Sequence, residues 1–298
     1  MALCLVTGGC GFIGSNLVDK LIELGHRVRV IDNLSATAHG HFYFNEIAHY
    51  YEYDICDYEN TRPLYDGVDY VFHLAAESRI QPTLENPIGA VRTNTLGTAT
   101  VLQCSKEADV KRVMYSSTSS AYGLNGIPPL NESERTDCLN PYSVSKVAGE
   151  ELCRMYTNLF GLETISFRYF NVYGPRQPLR GQYAPVIGLF LRQKAAGEPL
   201  TIVGDGTQKR DFTHVNDIVQ ANILAMTKGV PGELYNVGTG ENTSIIQLAR
   251  MISDIVKFIP ERPGEAKISL ADNDKIVDHM DWNVTITLKE YLEEQLNG

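Results

Sequence analysis

The run Leu3-Cys4-Leu5-Val6-Thr7 breaks at once into Gly8-Gly9-Cys10-Gly11-Phe12-Ile13-Gly14, and no other stretch of the 298 residues limits the possible folds as sharply. A strand-like run, glycines spaced G-x-x-G-x-x-G and an apolar helical pattern together predict a strand, a tight turn and a helix. Missing side chains let the backbone approach a pyrophosphate, the helix N-terminus supplies N–H donors, and the last glycine lets helix and strand pack closely. The same pattern could serve an unliganded turn. Against that, the next expected strand, Val28 to Ile31, runs into Asp32, inside the window for an acid that takes the ribose hydroxyls of a dinucleotide. A carboxylate there would repel a 2′-phosphate, so the expected cofactor is NAD rather than NADP. The competing role for Asp32 is a turn or cap residue in Asp32-Asn33-Leu34-Ser35.

The rhythm continues with expected strands at Tyr70 to Leu74, Val113 to Ser117 and Thr164 to Arg168, and expected helices at Phe12 to Leu24 and Ala90 to Glu107. Right-handed βαβ units of this kind stack into an α/β, doubly wound parallel sheet of the Rossmann type. After Asn171 the texture changes, with Gly174-Pro175, Gly197-Glu198-Pro199, Gly204-Asp205-Gly206 and Pro260 to Gly264 breaking the chain into short pieces. The expected division is therefore a dinucleotide-binding domain over 1–171, with some later segments returning to it, and a smaller α/β substrate lobe mainly over 172–298. A single cleft should lie between them.

Asn140-Pro141-Tyr142-Ser143-Val144-Ser145-Lys146 begins a helix, and a spacing of four puts Tyr142 and Lys146 on one face. A lone Tyr-x-x-x-Lys is common by chance and usually a solvated helix face. Behind a dinucleotide fingerprint it reads as a phenol whose pKa, ordinarily about 10, the adjacent ammonium, aided by the charge of an oxidised nicotinamide, would draw towards working pH, making a base for a sugar hydroxyl. Upstream, Ser116-Ser117-Thr118-Ser119-Ser120 follows Val113-Met114-Tyr115 at the carboxyl end of an expected strand, where open α/β sheets bind ligands. One of these five hydroxyls should join the site; composition does not choose among them.

A formal net charge of -10 disfavours broad adhesion to nucleic acid or anionic membrane, so a small anionic ligand would have to be held by individual arginines or helix N-termini. No run is long and apolar enough to span a bilayer, and the chain enters its first strand without a basic leader, which predicts a cytoplasmic protein. Cys4, Cys10, Cys56, Cys104, Cys138 and Cys153 form no C-x-x-C pair and read as reduced, packed thiols; no metal site is expected.

Taken together, the motifs resemble the extended short-chain dehydrogenase/reductases, and most closely their nucleotide-sugar 4-epimerase branch. The resemblance spans nearly the whole chain: the glycine motif, Asp32-Asn33-Leu34, Asp54-Ile55, His73-Leu74-Ala75-Ala76, Asn94 before Gly97-Thr98, Tyr142 with Lys146, and Arg168-Tyr169-Phe170-Asn171-Val172-Tyr173-Gly174-Pro175. It implies that Thr118, four residues before Tyr122-Gly123, is the catalytic hydroxyl beside Tyr142 and Lys146. It further implies cofactor contacts at Gly8, Gly11, Phe12, Ile13, Gly14, Asp32, Asn33, Leu34, Asp54, Ile55, Leu74, Ala75, Ala76, Asn94, Ser116 and Phe170. A UDP-sugar would meet Asn171, Val186, Arg210, Arg262, Glu265 and Ser269, the two arginines gripping the diphosphate. Relatives pair through the tyrosine helix and its neighbour, which implies a homodimer.

Related dehydratases and decarboxylases place an acid directly after the catalytic threonine, whereas this chain has Ser119 and Ser120. Neither hydroxyl can replace a carboxyl group in elimination, which leaves reversible oxidation at C4 and return of the hydride to the opposite face. Small Ser269, seven residues after Arg262, would leave room for a 2-acetamido group, favouring UDP-GlcNAc and UDP-GalNAc beside or in place of UDP-Glc and UDP-Gal. Arg79 in Glu77-Ser78-Arg79 keeps a UDP-glucuronate 4-epimerase open as a second enzyme reading, although an exposed ion pair with Glu77 or Glu85 would explain it too. A non-catalytic dinucleotide sensor is the reading from another class; it would have no need of Thr118, Tyr142 and Lys146.

Overall fold

A computed structural model describes residues 1–36, 41–179, 185–260 and 266–297. Arg262 and Glu265 lie outside the described residues. Six strands, β1 (Leu3–Thr7), β2 (Arg27–Ile31), β3 (His49–Tyr51), β4 (Tyr70–His73), β5 (Arg112–Thr118) and β6 (Glu163–Tyr169), join Leu234–Val237 in one seven-stranded sheet. Every pairing in it is parallel, and the order is Leu234–Val237, β6, β5, β4, β1, β2, β3. The chain leaves β1 for β2 and β3 on one side, then crosses to β4, β5 and β6 on the other. The switch point therefore falls between β1 and β4, where the carboxyl ends of a doubly wound sheet leave a crevice.

Both faces of the sheet are covered, so β1 is buried at every position. Cys4 and Val6 point to the face packed by helix α1 (Phe12–Glu23) and by Val215–Leu224, while Leu3 and Leu5 point to the face packed by Gly97–Glu107 and Pro141–Phe160. In α1 the apolar spacing puts Leu17, Val18 and Leu21 wholly inside, each worth roughly 1.5–3 kcal/mol of burial. A third core, built on Phe190, Ile202, Phe212 and Leu248, holds the later part of the chain together.

The expected helix from Ala90 to Glu107 is a composite: Pro87–Val91 is α-helical, Arg92–Leu96 is a π-helical turn, and Gly97–Glu107 resumes the α-helix. The widened turn carries Asn94, whose amide donates to Ser145 Oγ (2.9 Å) and to the Glu77 carbonyl (3.1 Å) while its oxygen accepts from Glu77 N–H (2.8 Å). Pro141–Phe160 starts at a reciprocal cap: Asn140 Oδ1 accepts from Ser143 N–H (2.9 Å) and Asn140 N–H donates to Ser143 Oγ (3.4 Å), with Pro141 in the first turn. It ends at Gly161, whose φ of 72° suits the left-handed cap.

Candidate active site

The first turn of α1 opens on Gly11 with no side-chain cap, so its N–H groups face the glycine loop. That loop is packed too closely on neighbouring backbone to admit side chains at Gly8 and Gly14. A Cβ on Gly8, whose φ is +71°, would stand 2.7 Å from the Ala75 nitrogen, and one on Gly14 would stand 2.1 Å from the Gly8 oxygen. At the end of β2, Asp32 draws the loop towards itself: its carboxylate accepts from Cys10 N–H (3.0 Å) and Leu34 N–H (2.9 Å), one bond to each oxygen, leaving further lone pairs. A bare helix N-terminus, a glycine loop closely packed on neighbouring backbone and a carboxylate one strand away fit a pyrophosphate and a ribose diol. Phe12 and Ile13 lie in that first turn and Asn33 beside Asp32.

Across the switch point a chain of hydrogen bonds fixes the segment Leu74-Ala75-Ala76. Ala75 N–H donates to Thr7 Oγ1 (3.2 Å), which meets His73 Nδ1 at 2.7 Å; His73 Nε2 meets Thr98 Oγ1 at 2.9 Å, and Thr98 donates to the Asn94 carbonyl (2.6 Å). Because the Thr98 proton is committed to Asn94, the network assigns the His73 proton to Nε2 and leaves Nδ1 to accept from Thr7. Burial, with a smaller push from Lys146, lowers the His73 pKa to about 3, so the ring is a neutral brace.

Of the five hydroxyls at the end of β5, the first three part company in the structure. Ser116 donates to Tyr169 Oη (3.2 Å), Ser117 donates to Glu150 (2.5 Å), and Thr118 accepts from Ser120 N–H (3.1 Å) at the start of the 3-10 turn Ser119–Tyr122. Thr118 is the one whose hydroxyl also faces the Tyr142 phenol closely enough to favour its anion. Lys146, 3% exposed, sits one turn beyond Tyr142 with its ammonium 4.4 Å from the centre of the Tyr115 ring.

Enclosure governs the electrostatics of the pair. Tyr142 keeps part of its surface, yet its hydroxyl end is enclosed, and burial raises its pKa against the smaller pull of Thr118. Lys146 is itself displaced, its pKa lowered to about 7 by burial, with Cys153 and Glu150 acting the other way. Spacing places the two groups together; the protein alone does not hold the phenol low, because the same enclosure disfavours both charged forms.

Other expected cofactor residues are placed more indirectly. Asp54 pairs with Arg92 (2.7 Å) and accepts from Cys56 N–H (2.8 Å); burial raises its pKa, but these bonds prevail and hold it below the usual range. Ile55 is packed against Gly97 in the core and Phe170 against Tyr122, Leu130 and Ala271, so both side chains are already covered. Asn94 is engaged as described above.

Of the expected sugar-nucleotide residues, Asn171, Arg210 and Ser269 converge on one short stretch. Asn171 Nδ2 donates to the Asp211 carbonyl (2.8 Å), Arg210 Nη1 donates to the carbonyls of Lys209 (3.0 Å) and Ala266 (2.7 Å), and Ser269 N–H donates to the Lys209 carbonyl (3.0 Å). Val186 opens the helix Val186–Ala195 beside the third core. Asp211, which the sequence reading passed over, organises this corner: its fully buried carboxylate accepts from the N–H groups of Thr239 (2.8 Å), Gly240 (3.1 Å) and Ala271 (3.0 Å) and from the Thr239 hydroxyl (2.8 Å). Burial nevertheless raises its pKa. Glu150, also missed, stands on the Tyr142–Lys146 stripe at the next interval of four; continuing that stripe by one turn was the available signal.

Residues 4–238 match the family model described as the NAD dependent epimerase/dehydratase family. The fold matches the crystal structure of UDP-glucose 4-epimerase with UDP-glucose from Thermotoga maritima with a TM-score of 0.94 and 36% identity, covering 99% of this chain and 97% of that one. Among curated relatives, a UDP-glucose 4-epimerase of Mycolicibacterium smegmatis is 34% identical over 96% of this chain and 95% of its own length. A UDP-N-acetyl-alpha-D-glucosaminuronate decarboxylase of Bacillus cytotoxicus is 38% identical over 85% of this chain and 79% of its own.

Proposed function

The chain belongs to the NAD dependent epimerase/dehydratase family, and from that membership we propose that it is a 4-epimerase of UDP-sugars, acting on UDP-GlcNAc and UDP-GalNAc, on UDP-Glc and UDP-Gal, or on both pairs. The observation that carries this reading is the neighbourhood of Thr118. Its hydroxyl is fixed by Ser120 N–H and faces Tyr142, and the two positions after it hold serines, so a group able to expel water is lacking where elimination would need one.

In this reading NAD supplies the acceptor, and then the donor, of hydride at the sugar C4. The loop from Gly8 to Gly14, Asp32 and the braced segment Leu74-Ala75-Ala76 would hold it. Tyr142 takes the proton of the C4 hydroxyl while Thr118 shares that hydroxyl, and the Lys146 ammonium stabilises the phenolate. The 4-keto sugar turns, Tyr142 returns the proton, and the centre is inverted without net redox change. Asn171, Arg210 and Ser269, with Arg262 and Glu265, would hold the nucleotide-sugar.

A second reading is UDP-glucuronate 4-epimerisation, for which Arg79, at the N-terminal boundary of the helix Ile80–Glu85 just after the braced segment, is the candidate contact for a carboxylate. Incubation with NAD and, separately, UDP-GlcNAc, UDP-Glc and UDP-glucuronate, followed by NMR of the products, tests both. Inversion at C4 supports the proposal; loss of water or carbon dioxide as the main course overturns it. We also propose a homodimer, seated on exposed Ile88, Val91 and Leu96 and on Val144 and Leu159 of the tyrosine helix. A monomer in sedimentation would refute that part.

A further inference from the structure

Glu150 stands one helical turn beyond Lys146 and is 8% exposed. Its Oε1 accepts from Ser117 Oγ at 2.5 Å and from Arg168 Nε at 2.9 Å, and its Oε2 accepts from Arg168 Nη2 at 2.7 Å. Arg168, 2% exposed, lies with its guanidinium 4.6 Å from the Tyr122 ring, and its Nη1 is buried with no hydrogen-bond partner among the described residues. Such a pair is poor value as packing: desolvating two charges costs about what their attraction returns, and apolar residues of equal volume usually serve stability as well. Its charges call for a different explanation.

We propose that Glu150 is a positioning residue for the Tyr142–Lys146 pair: clamped between Ser117 on β5 and Arg168 on β6, it fixes the strand end that carries Thr118 and presents a negative charge to the helical turn that carries Lys146. The inference rests on the reading of Tyr142 and Lys146 as the proton-handling centre.

The geometry supports both halves. Ser117 immediately precedes Thr118, so one carboxylate ties the threonine's strand to the tyrosine's helix. The groups around Lys146 are Tyr115 on β5, His73 on β4, and Tyr142, Glu150 and Cys153 on its own helix. Burial raises Cys153 to about 12, raises both tyrosines and keeps His73 neutral. Among these groups Glu150 alone brings a formal negative charge at neutral pH. The Arg168 guanidinium, paired with Glu150, lies over the Tyr122 ring.

The test is an NMR titration of ¹³C-lysine-labelled protein, with the Lys146 signal assigned by its loss in Lys146→Met. In Glu150→Gln the Lys146 midpoint should fall by about one unit, and in Glu150→Asp, which keeps the charge, it should hold. A purely structural role would lower the melting temperature and leave the midpoint in place, and a folded Glu150→Gln with an unmoved midpoint overturns the proposal. If that variant does not fold, the double variant Glu150→Gln/Arg168→Met, which leaves no lone buried cation, is read against Arg168→Met, so that the difference in midpoint isolates the carboxylate charge. The titration needs no sugar turnover. A shifted midpoint in a protein that epimerises nothing would therefore sink the proposed function and leave this inference standing.

Discussion

Tyr115 holds Lys146 at both ends: its hydroxyl donates to the Lys146 carbonyl at 3.1 Å, and its ring lies 4.4 Å from the Lys146 ammonium. Gly149 makes this possible, because a Cβ there would stand 2.1 Å from the Tyr115 oxygen. The ring face gives a desolvated ammonium an attraction of about 2 kcal/mol. Tyr115→Leu should therefore lower turnover about tenfold or more, whereas Tyr115→Phe, which keeps the ring, should stay much nearer wild type. Equal losses in both variants, measured as initial rates at saturating sugar nucleotide, would remove the ring from the account.

Tyr142→Phe should keep NAD and UDP binding, measured by calorimetry, while losing at least ~10²-fold in turnover, the usual scale for a positioned acid-base group. Unchanged turnover would refute the proton-transfer role.

The lowered pKa of Lys146, about 7 against an ordinary 10.5, makes stability depend on pH. Below about 7 the lysine is protonated in both states and the fold bears the full cost of a buried ammonium. Between about 7 and 10.5 the unfolded chain holds a proton that the folded chain has shed, so raising the pH favours folding, with a limiting slope of about 1.4 kcal/mol per unit. Urea unfolding of wild type and Lys146→Met at several pH values in that window should show wild type gaining on the variant as pH rises. A constant difference would mean that the lysine is not displaced.

Asp32 should set cofactor choice. Calorimetry is expected to give tighter binding of NAD than of NADP, and Asp32→Ala should shrink the difference by removing the carboxylate that opposes a 2′-phosphate. Tighter NADP binding by wild type would overturn the assignment.

Ser269 is held by its N–H to the Lys209 carbonyl, one residue from Arg210. Ser269→Tyr should depress turnover of acetamido sugars relative to plain hexoses, and an equal effect on both would remove it as a size gate.

What could be read in advance followed from how local the governing physics was. β1 was legible to the residue and α1 to within its last residue because glycine spacing and helical periodicity are local, and Tyr142 and Lys146 because a spacing of four needs only a helix. The π turn at Arg92–Leu96 was not, since its cause is the non-local engagement of Asn94 with Glu77 and Ser145. Ser116, Ser117 and Thr118 are alike in sequence and differ only by what stands opposite each: Tyr169, Glu150 and Tyr142. A glutamate inside a helix reads as solvated, so Glu150 is recognisable only when Arg168 is seen across from it. Burial of the Tyr142 hydroxyl could not be read in advance, because proximity is written in the spacing and enclosure is not.

The strand Leu234–Val237 hydrogen-bonds to β6, and so one edge of the seven-stranded sheet is made by chain that comes after the segments from Val172 to Leu224. During synthesis the ribosome delivers β6 long before its neighbour, and until Val237 has emerged the nascent sheet presents an unpaired, apolar edge to its surroundings. A gene fragment ending near residue 171 should for the same reason yield aggregates rather than a small dinucleotide-binding protein. Vectorial synthesis thus places the two halves of this molecule under one folding decision.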